Sequence, residues 1–276
     1  MKRNIFKESI LENRFNENGF VTLDLLEKED LDQLFLLLDD LKTKSDSSNV
    51  NVKSDYELSF FNKDIAYRKM VLERIYEFFK PYLDPILDDY EPLIVNLFNK
   101  KPSSGEVPIH QNWTFVDEDN YTSVSVWIPL CNVSRKNGTL EVVPKTHDRL
   151  TPYRSPSIPW VFAGLEKVLK KKYLQPLELK LGQIAILDDA ILHWSSENNS
   201  REDRATIQLI MKPKEAMPIH YYCEDLKKGE LSVYQVDSDF FASFNMHERP
   251  KNVEIVGKRN FTYKRLNERE FRRLIS

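Results

Sequence analysis

An α+β chain with a mainly β core is what the order of segments predicts, on two observations. Apolar residues recur at helical spacing through most of residues 1–90, and runs rich in β-branched and aromatic residues follow through residues 91–213. Helices first and strands after implies a β core of consecutive antiparallel pieces rather than an alternating α/β sheet. The 276 residues suffice for one large core. The chain is read as a single domain over residues 1–276, with residues 214–276 as a C-terminal cover.

Each element has its own signal. Ile5, Phe6, Ile10, Leu11 and Phe15 share a helical face that Asn18-Gly19 stops, and Phe20-Val21-Thr22-Leu23 reads as a short strand. Residues 27–42 form a second helix with Leu31, Leu34, Phe35 and Leu38 on one side; residues 43–55 form a polar loop. Residues 64–79 form a third helix that ends near Pro81. Strands are expected at residues 93–99, 107–114, 122–130, 139–143, 177–181, 184–187 and 205–211. Between residues 150 and 173 lie Pro152, Pro156, Pro159 and Trp160, then Lys170-Lys171-Lys172, an irregular insertion of the kind that forms lids or binding loops. The lysine run reads as a solvated face or a contact for a phosphate-bearing carrier. The segment after Pro213 carries Tyr221, Tyr222, Tyr234, Phe240, Phe241 and Phe244 and ends in a charged helix over residues 265–274, suited to covering the core or to self-association.

Composition excludes several function classes. Lys plus Arg number 40 against 43 Asp plus Glu, a formal net charge of −3, so no global field favours nucleic acid or an anionic membrane. Cys131 and Cys223 are too few for a disulfide framework and are read as buried free thiols in a reducing cytoplasm. Neither a signal segment nor an apolar run of about 18 residues is present, so a soluble, cytoplasmic protein is expected. The expected partner is a small-molecule or carrier-bound substrate.

The chemistry is concentrated in His110-Gln111-Asn112, His193 and Arg204. A non-haem iron(II) centre holds its metal on one face with two imidazoles and one carboxylate, leaving positions free for a cosubstrate and dioxygen. On a strand, His110 and Asn112 project to the same face while Gln111 points away. His193 ends residues 183–192, which read as strand, turn, strand. Arg204 opens a buried strand whose start presents a guanidinium fork suited to a carboxylate. Taken singly, His110 and His193 are ordinary polar residues; only the joint pattern points to a metal.

These residues resemble the phytanoyl-CoA dioxygenase family, iron(II)- and 2-oxoglutarate-dependent oxygenases on a double-stranded β-helix. The likeness runs through Asn18-Gly19-Phe20-Val21, His110-Gln111-Asn112-Trp113, Val126-Trp127-Ile128-Pro129-Leu130, residues 137–147, and a distal block of residues 182–188, His193, Ser195, Asn199-Ser200 and Arg204. The resemblance implies a jelly-roll (cupin-like) core flanked by N-terminal helices, with Fe(II), 2-oxoglutarate and O2 as cofactors. It implies His110, Asn112 and His193 as metal ligands, and Arg204, helped by Ser195 and Trp127, as the clamp for the far carboxylate of 2-oxoglutarate. Asn99 is a further cosubstrate candidate. The implied reaction is hydroxylation with decarboxylation of 2-oxoglutarate to succinate.

Asn112 stands where the family motif has Asp, and a neutral amide is a poorer iron(II) ligand than a carboxylate. Four readings remain open. They are an active oxygenase using Asn112 or a nearby second acid, a site disabled by an Asp-to-Asn change, a naturally silent relative that binds a ligand or partner, and altered chemistry such as halogenation. Asp117, Glu118 and Asp119 fall in a turn and are not expected as ligands, and Asp188-Asp189 are assigned a turn role. His147 is assigned a structural hydrogen bond; His220 and His247 are assigned to the surface or a lid.

Overall fold

The computed structural model describes residues 2–44, 56–243 and 248–276. Most of the loop expected at residues 43–55, together with Phe244 and His247, lies outside the described residues. Helices α1 (Ser9–Asn18), α2 (Lys28–Lys44) and α3 (Ile65–Leu83) open the chain, with strand β1 (Phe20–Asp24) after α1 and β2 (Glu57–Leu58) before α3. Helix α1 begins at Ser9 and not at Ile5. The backbone N–H groups of Ile5 and Phe6 donate to the Glu12 carboxylate at 2.8 and 2.9 Å, and Phe6 bridges to Leu87, so these two are core residues without being helical. Gly19 ends α1 at φ 82°, where a Cβ would sit 2.6 Å from the His147 ring, so this position needs glycine on two counts. Pro81 is accommodated in the last turn of α3 instead of ending it.

Eight further strands build the core: β3 (Tyr90–Lys100), β4 (Val107–His110), β5 (Val124–Pro129), β6 (Leu140–Val143), β7 (Gln175–Pro176), β8 (Gln183–Asp188), β9 (Leu192–Ser195) and β10 (Arg204–Pro213). They form two antiparallel sheets, one ordered β1-β8-β5-β10-β3-β2 and the other β4-β9-β6-β7. Trp127, Ala185 and Leu187 of the larger sheet pack with Leu140 and Val142 of the smaller, so the sheets face one another as the expected jelly roll. The sequence-based division is blurred at its N-terminal end, because β1 and β2 both join the larger sheet. Residues 177–181 run extended beside β6 through single bonds such as Leu177 N–H to the Leu140 carbonyl, without forming a strand. Beyond the core, β11 (Ile219–Tyr222), β12 (Glu230–Gln235) and β13 (Ile255–Asn260) make a small third sheet, and α5 (Ser238–Ser243) follows β12. The 150–173 insertion contains α4 (Glu166–Lys172), and the chain closes with α6 (Glu268–Ile275), capped at Asn267.

Strand alternation sorts the larger sheet into two chemistries. Val124, Val126 and Ile128 of β5 and Ile207, Leu209 and Met211 of β10 pack with Leu34, Val71, Ile75 and Phe79 of the helices. The intervening residues Trp127, Arg204, Thr206, Gln208 and Ile210 face a cavity between the sheets. One face is therefore a conventional apolar core, and the other is free to carry polar groups. Leu209 is fully buried in that core, whereas Leu36 is 72% exposed on α2. Leu209→Ala is expected to cost about 3 kcal/mol in urea unfolding and Leu36→Ala less than about 0.5 kcal/mol; equal effects would contradict this packing.

Candidate active site

The β4–β9 pairing sets His110 directly opposite His193, with ring centroids 4.2 Å apart. In each ring Nδ1 faces a backbone carbonyl two residues earlier, Pro108 O at 2.7 Å and Ile191 O at 2.9 Å. A carbonyl only accepts, so Nδ1 carries the proton and donates, leaving the Nε2 lone pair free for a metal. Burial holds both imidazoles neutral: it pushes His110 down, and burial together with neighbouring His110 pushes His193 down to about 3.

Asn112 reaches the same cavity by a different route from the one strand alternation implies. Strand β4 stops at His110, after a register irregularity, and Asn112 lies beyond it. Its place is fixed by main-chain bonds: its N–H donates to the Asp189 carbonyl at 2.9 Å, and its carbonyl accepts from Arg154 Nε at 2.8 Å. Arg154 is itself held by a buried bidentate pair with Glu118. The Asn112 Nδ2 group donates to Asp189 Oδ1 at 2.7 Å and to Ser125 Oγ at 3.0 Å. Gln111 is buried, donating to the Ala190 carbonyl at 2.5 Å, and borders the cavity. Asp189, read from sequence as a turn residue, is thus a buried carboxylate contacting the motif; burial raises it to about 6 against the opposing bonds from Asn112 and Ser125.

Arg204 lies on the facing sheet, 2% exposed. Its NH2 group donates to Ser195 Oγ at 3.0 Å and its NH1 group to Thr206 Oγ1 at 3.3 Å, while Nε has no partner and the guanidinium sits 5.1 Å above the Phe98 ring. No carboxylate among the described residues pairs with it. Ser195 gives its own proton to the Gly138 carbonyl at 2.8 Å, so it orients the arginine by accepting. Trp127 forms part of the wall.

His110, Asn112, His193, Ser195, Arg204 and Trp127 therefore line one cavity of about 240 Å³. Asn99 does not. On β3 the residues facing the cavity are Ile94, Asn96 and Phe98, so period-two alternation turns Asn99 outward, where its amide donates to Asp203 at 2.8 Å. His220, expected at the surface or in a lid, is 1% exposed on β11, packed beside Trp113 and Phe240. The lysine run is partly occupied by ion pairs: Lys170 with Glu106 at 2.5 Å and Lys172 with Glu268 at 2.6 Å. Sequence reasoning missed Thr206 and Gln208, although stepping by two from Arg204 along β10 finds both. It also missed Asn96, Ser125 and Asp189, for which no local signal exists.

The donor set suits a divalent metal ion: two neutral imidazoles with free Nε2 atoms, and the Asn112 amide lining the same cavity. Among the described residues no group of three or more His, Cys, Asp or Glu could hold a metal. No helix among the described residues is long and apolar enough to cross a membrane. Cys131 and Cys223 are free thiols, the second buried and the first partly so.

The fold is shared with several solved structures. The chain superposes on AviO1 from Streptomyces viridochromogenes Tue57 with a TM-score of 0.53 and 22% identity, covering 76% of this chain and 96% of that one. It also superposes on HygX from Streptomyces hygroscopicus, solved with nickel, 2-oxoglutarate and hygromycin B, with a TM-score of 0.52 and 12% identity over 75% and 88% of the two chains. Residues 38–206 match the phytanoyl-CoA dioxygenase (PhyH) family, and the chain belongs to that family. It is 27% identical over 118 residues to the phytanoyl-CoA dioxygenase domain-containing protein 1 homolog of Dictyostelium discoideum, spanning 40% of this chain and 42% of the relative. It is 28% identical over 115 residues to phytanoyl-CoA dioxygenase 1 of Oryza sativa subsp. japonica, spanning 41% of each. The matches thus span about two fifths of the length of each relative.

The imidazole pair generates a direct expectation. An unfolded histidine protonates near its ordinary 6.5 and folded His193 near 3. The stability carried by the neutral ring is therefore full above pH 6.5 and is lost as the pH falls toward 3. In metal-free protein, the His193 ring resonances are expected to stay at neutral-imidazole positions from about pH 8 to about pH 5. A titration near 6.5 in the NMR spectrum would contradict the buried site.

Proposed function

We propose that the protein is an iron(II)- and 2-oxoglutarate-dependent oxygenase that hydroxylates an uncharged organic group. The observation that carries this reading is the buried guanidinium of Arg204, which has no carboxylate partner among the described residues and opens on the same cavity as the two metal-ready imidazoles. A buried cation is costly without an anion, and a dicarboxylate that bridges the arginine and the metal position supplies one. His110, His193 and Asn112 would hold iron(II), which when bound supplies the activation of dioxygen. Arg204 binds the far carboxylate of 2-oxoglutarate, Thr206 and Ser195 fix its fork, and Phe98 and Trp127 exclude water from it. Two solved structures of the same fold, those of HygX and of the epimerase SnoN, contain a metal and 2-oxoglutarate, which supports the same cofactor pair here.

The walls define what the site accepts. Arg204 is the one formally charged side chain among the described residues of the cavity, and Phe60, Trp113, Phe115 and Ile94 supply an apolar surface. A substrate that presents a neutral, apolar group fits these walls, whereas with Arg204 engaged by the cosubstrate a charged group would find no partner among the described residues. The Lys170 and Lys172 ion pairs weaken the case for a phosphate-bearing carrier docking on that run.

A second reading, a catalytically silent relative that binds the same ligands, is favoured by one observation, the absence of a carboxylate beside the imidazoles in the described residues. Anaerobic calorimetry with iron(II) and 2-oxoglutarate, followed by succinate release on admitting oxygen, separates the two. Binding with succinate formation supports the oxygenase, and binding without it supports the silent relative. Arg204→Ala is expected to weaken 2-oxoglutarate binding by about 100-fold, the usual scale for losing one partner of a buried charge pair. Unchanged affinity would remove Arg204 from the site.

A further inference from the structure

A buried carboxylate stands directly behind the amide that occupies the third ligand position. Asp189 is 1% exposed, and no ion pair holds it among the described residues. Its Oδ1 accepts from Asn112 Nδ2 at 2.7 Å and from Ser125 Oγ at 2.7 Å, while its Oδ2 is buried without a hydrogen-bond partner. Ser125 is held in turn, accepting from Gln208 Nε2 at 3.2 Å, and Gln208 Oε1 accepts from Asn96 at 3.2 Å. The polar residues along the cavity side of β3, β10 and β5 thus hand their donors along a line that ends on Asp189.

We propose that Asp189 supplies, through the Asn112 amide, the negative charge that a carboxylate at position 112 would give the metal directly. Three steps carry the argument, which rests on the metal-site reading above. The first is orientation. A carboxylate oxygen accepts only, so the amide must turn its NH2 group to Asp189, and its carbonyl oxygen is then the atom left for the cavity shared with His110 and His193. The reverse flip would set two oxygens against each other at hydrogen-bond distance.

The second step is donor strength. An amide whose N–H groups are bound by a carboxylate and a hydroxyl shifts electron density onto its oxygen, as hydrogen-bonded partners behind a ligand raise that ligand's basicity. The third is the charge count. Two neutral imidazoles, a neutral amide and one carboxylate carry the same net charge, −1, as two imidazoles and a directly bound carboxylate. Arg154, the cation nearest Asp189, is committed to Glu118, so burying Asp189 without an ion pair of its own is unfavourable and becomes favourable once a divalent cation is held one residue away. Asp189 is in this sense a positioning residue, acting on the metal through Asn112.

The test is manganese(II) affinity of the full chain, measured from free Mn(II) in electron paramagnetic resonance, for the chain as written, for Asp189→Asn and for the exchange Asn112→Asp with Asp189→Asn. Asp189→Asn keeps shape and removes charge, and is expected to weaken Mn(II) binding by about 10- to 100-fold, the scale of losses behind metal ligands. The exchange variant moves the charge to position 112 without changing its total, and is expected to bind within about tenfold of the starting chain. Undiminished Mn(II) affinity in Asp189→Asn would overturn the relay while leaving the metal site standing. So would an exchange variant binding more than about 100-fold tighter, since Asn112 would then be acting as an unassisted amide; this arm holds even if Asp189→Asn fails to fold. No Mn(II) binding by the starting chain or by the exchange variant would reject the metal site itself, and the relay with it.

Discussion

The antiparallel pairing of β4 with β9 is the constraint on which the rest of the site depends. It sets His110 across from His193, and a slip of one residue would turn one imidazole out of the cavity. Each ring is then locked by a main-chain carbonyl of its own strand segment, so tautomer and orientation come from local backbone rather than from distant side chains. The smaller sheet thus supplies the imidazoles. The larger sheet, facing it, supplies Arg204, Thr206 and Gln208 from one side of β10, and the opposite side of that strand anchors the helices. Sheet alternation makes both roles possible in one strand.

Buried charge is treated differently in different parts of the molecule. Arg154 is buried and fully answered by Glu118, and this pair clamps the chain where it leaves β4. Lys100 is buried too, lowered to about 7 by burial and by Arg204, and its ammonium donates to the carbonyls of Ser195 and Ser196 at 3.1 and 2.5 Å. It fastens the end of β9 next to the arginine. Arg204 alone of the three finds only hydroxyls and an aromatic face. The residues around it restrain its geometry without neutralising it.

Much of this was legible in the sequence, and the losses have physical reasons. The strand positions of Trp127, His193 and Arg204 follow from apolar alternation, and the cavity collects all of them. Asn99 was misplaced because the motif likeness ignored which face of β3 it occupies; Asn96 and Phe98, on the proper parity, line the wall instead. Strand alternation misjudges the route of Asn112 because the strand ends at His110; beyond it the Asn112 main chain is held by the Asp189 carbonyl, which accepts its N–H, and by the Arg154 side chain, which donates to its carbonyl. The small third sheet was hidden because its strands are short and rich in tyrosine and charge. Asp189 was the largest omission. A carboxylate 77 residues from Asn112 announces its contact only through the β4–β9 ladder, and beside Asp188 it looked like half of an ordinary acidic turn.

The segment that follows His110-Gln111-Asn112 joins the site to the rest of the cavity. Trp113 and Phe115 come directly after Asn112, and Phe115 packs edge-on against Phe241 of α5, with centroids 5.4 Å apart. Trp113 meets Phe60 at 6.3 Å and His220 of the third sheet at 6.2 Å. The apolar wall is therefore built jointly by residues beside the imidazoles and by the C-terminal cover. Changes in the cover can reshape that wall while the β4–β9 ladder, tied by main-chain bonds, stays as it is. The apolar wall and the imidazole pair then meet at residues 110–115 but are held by different forces: aromatic packing holds the first, and backbone hydrogen bonds the second.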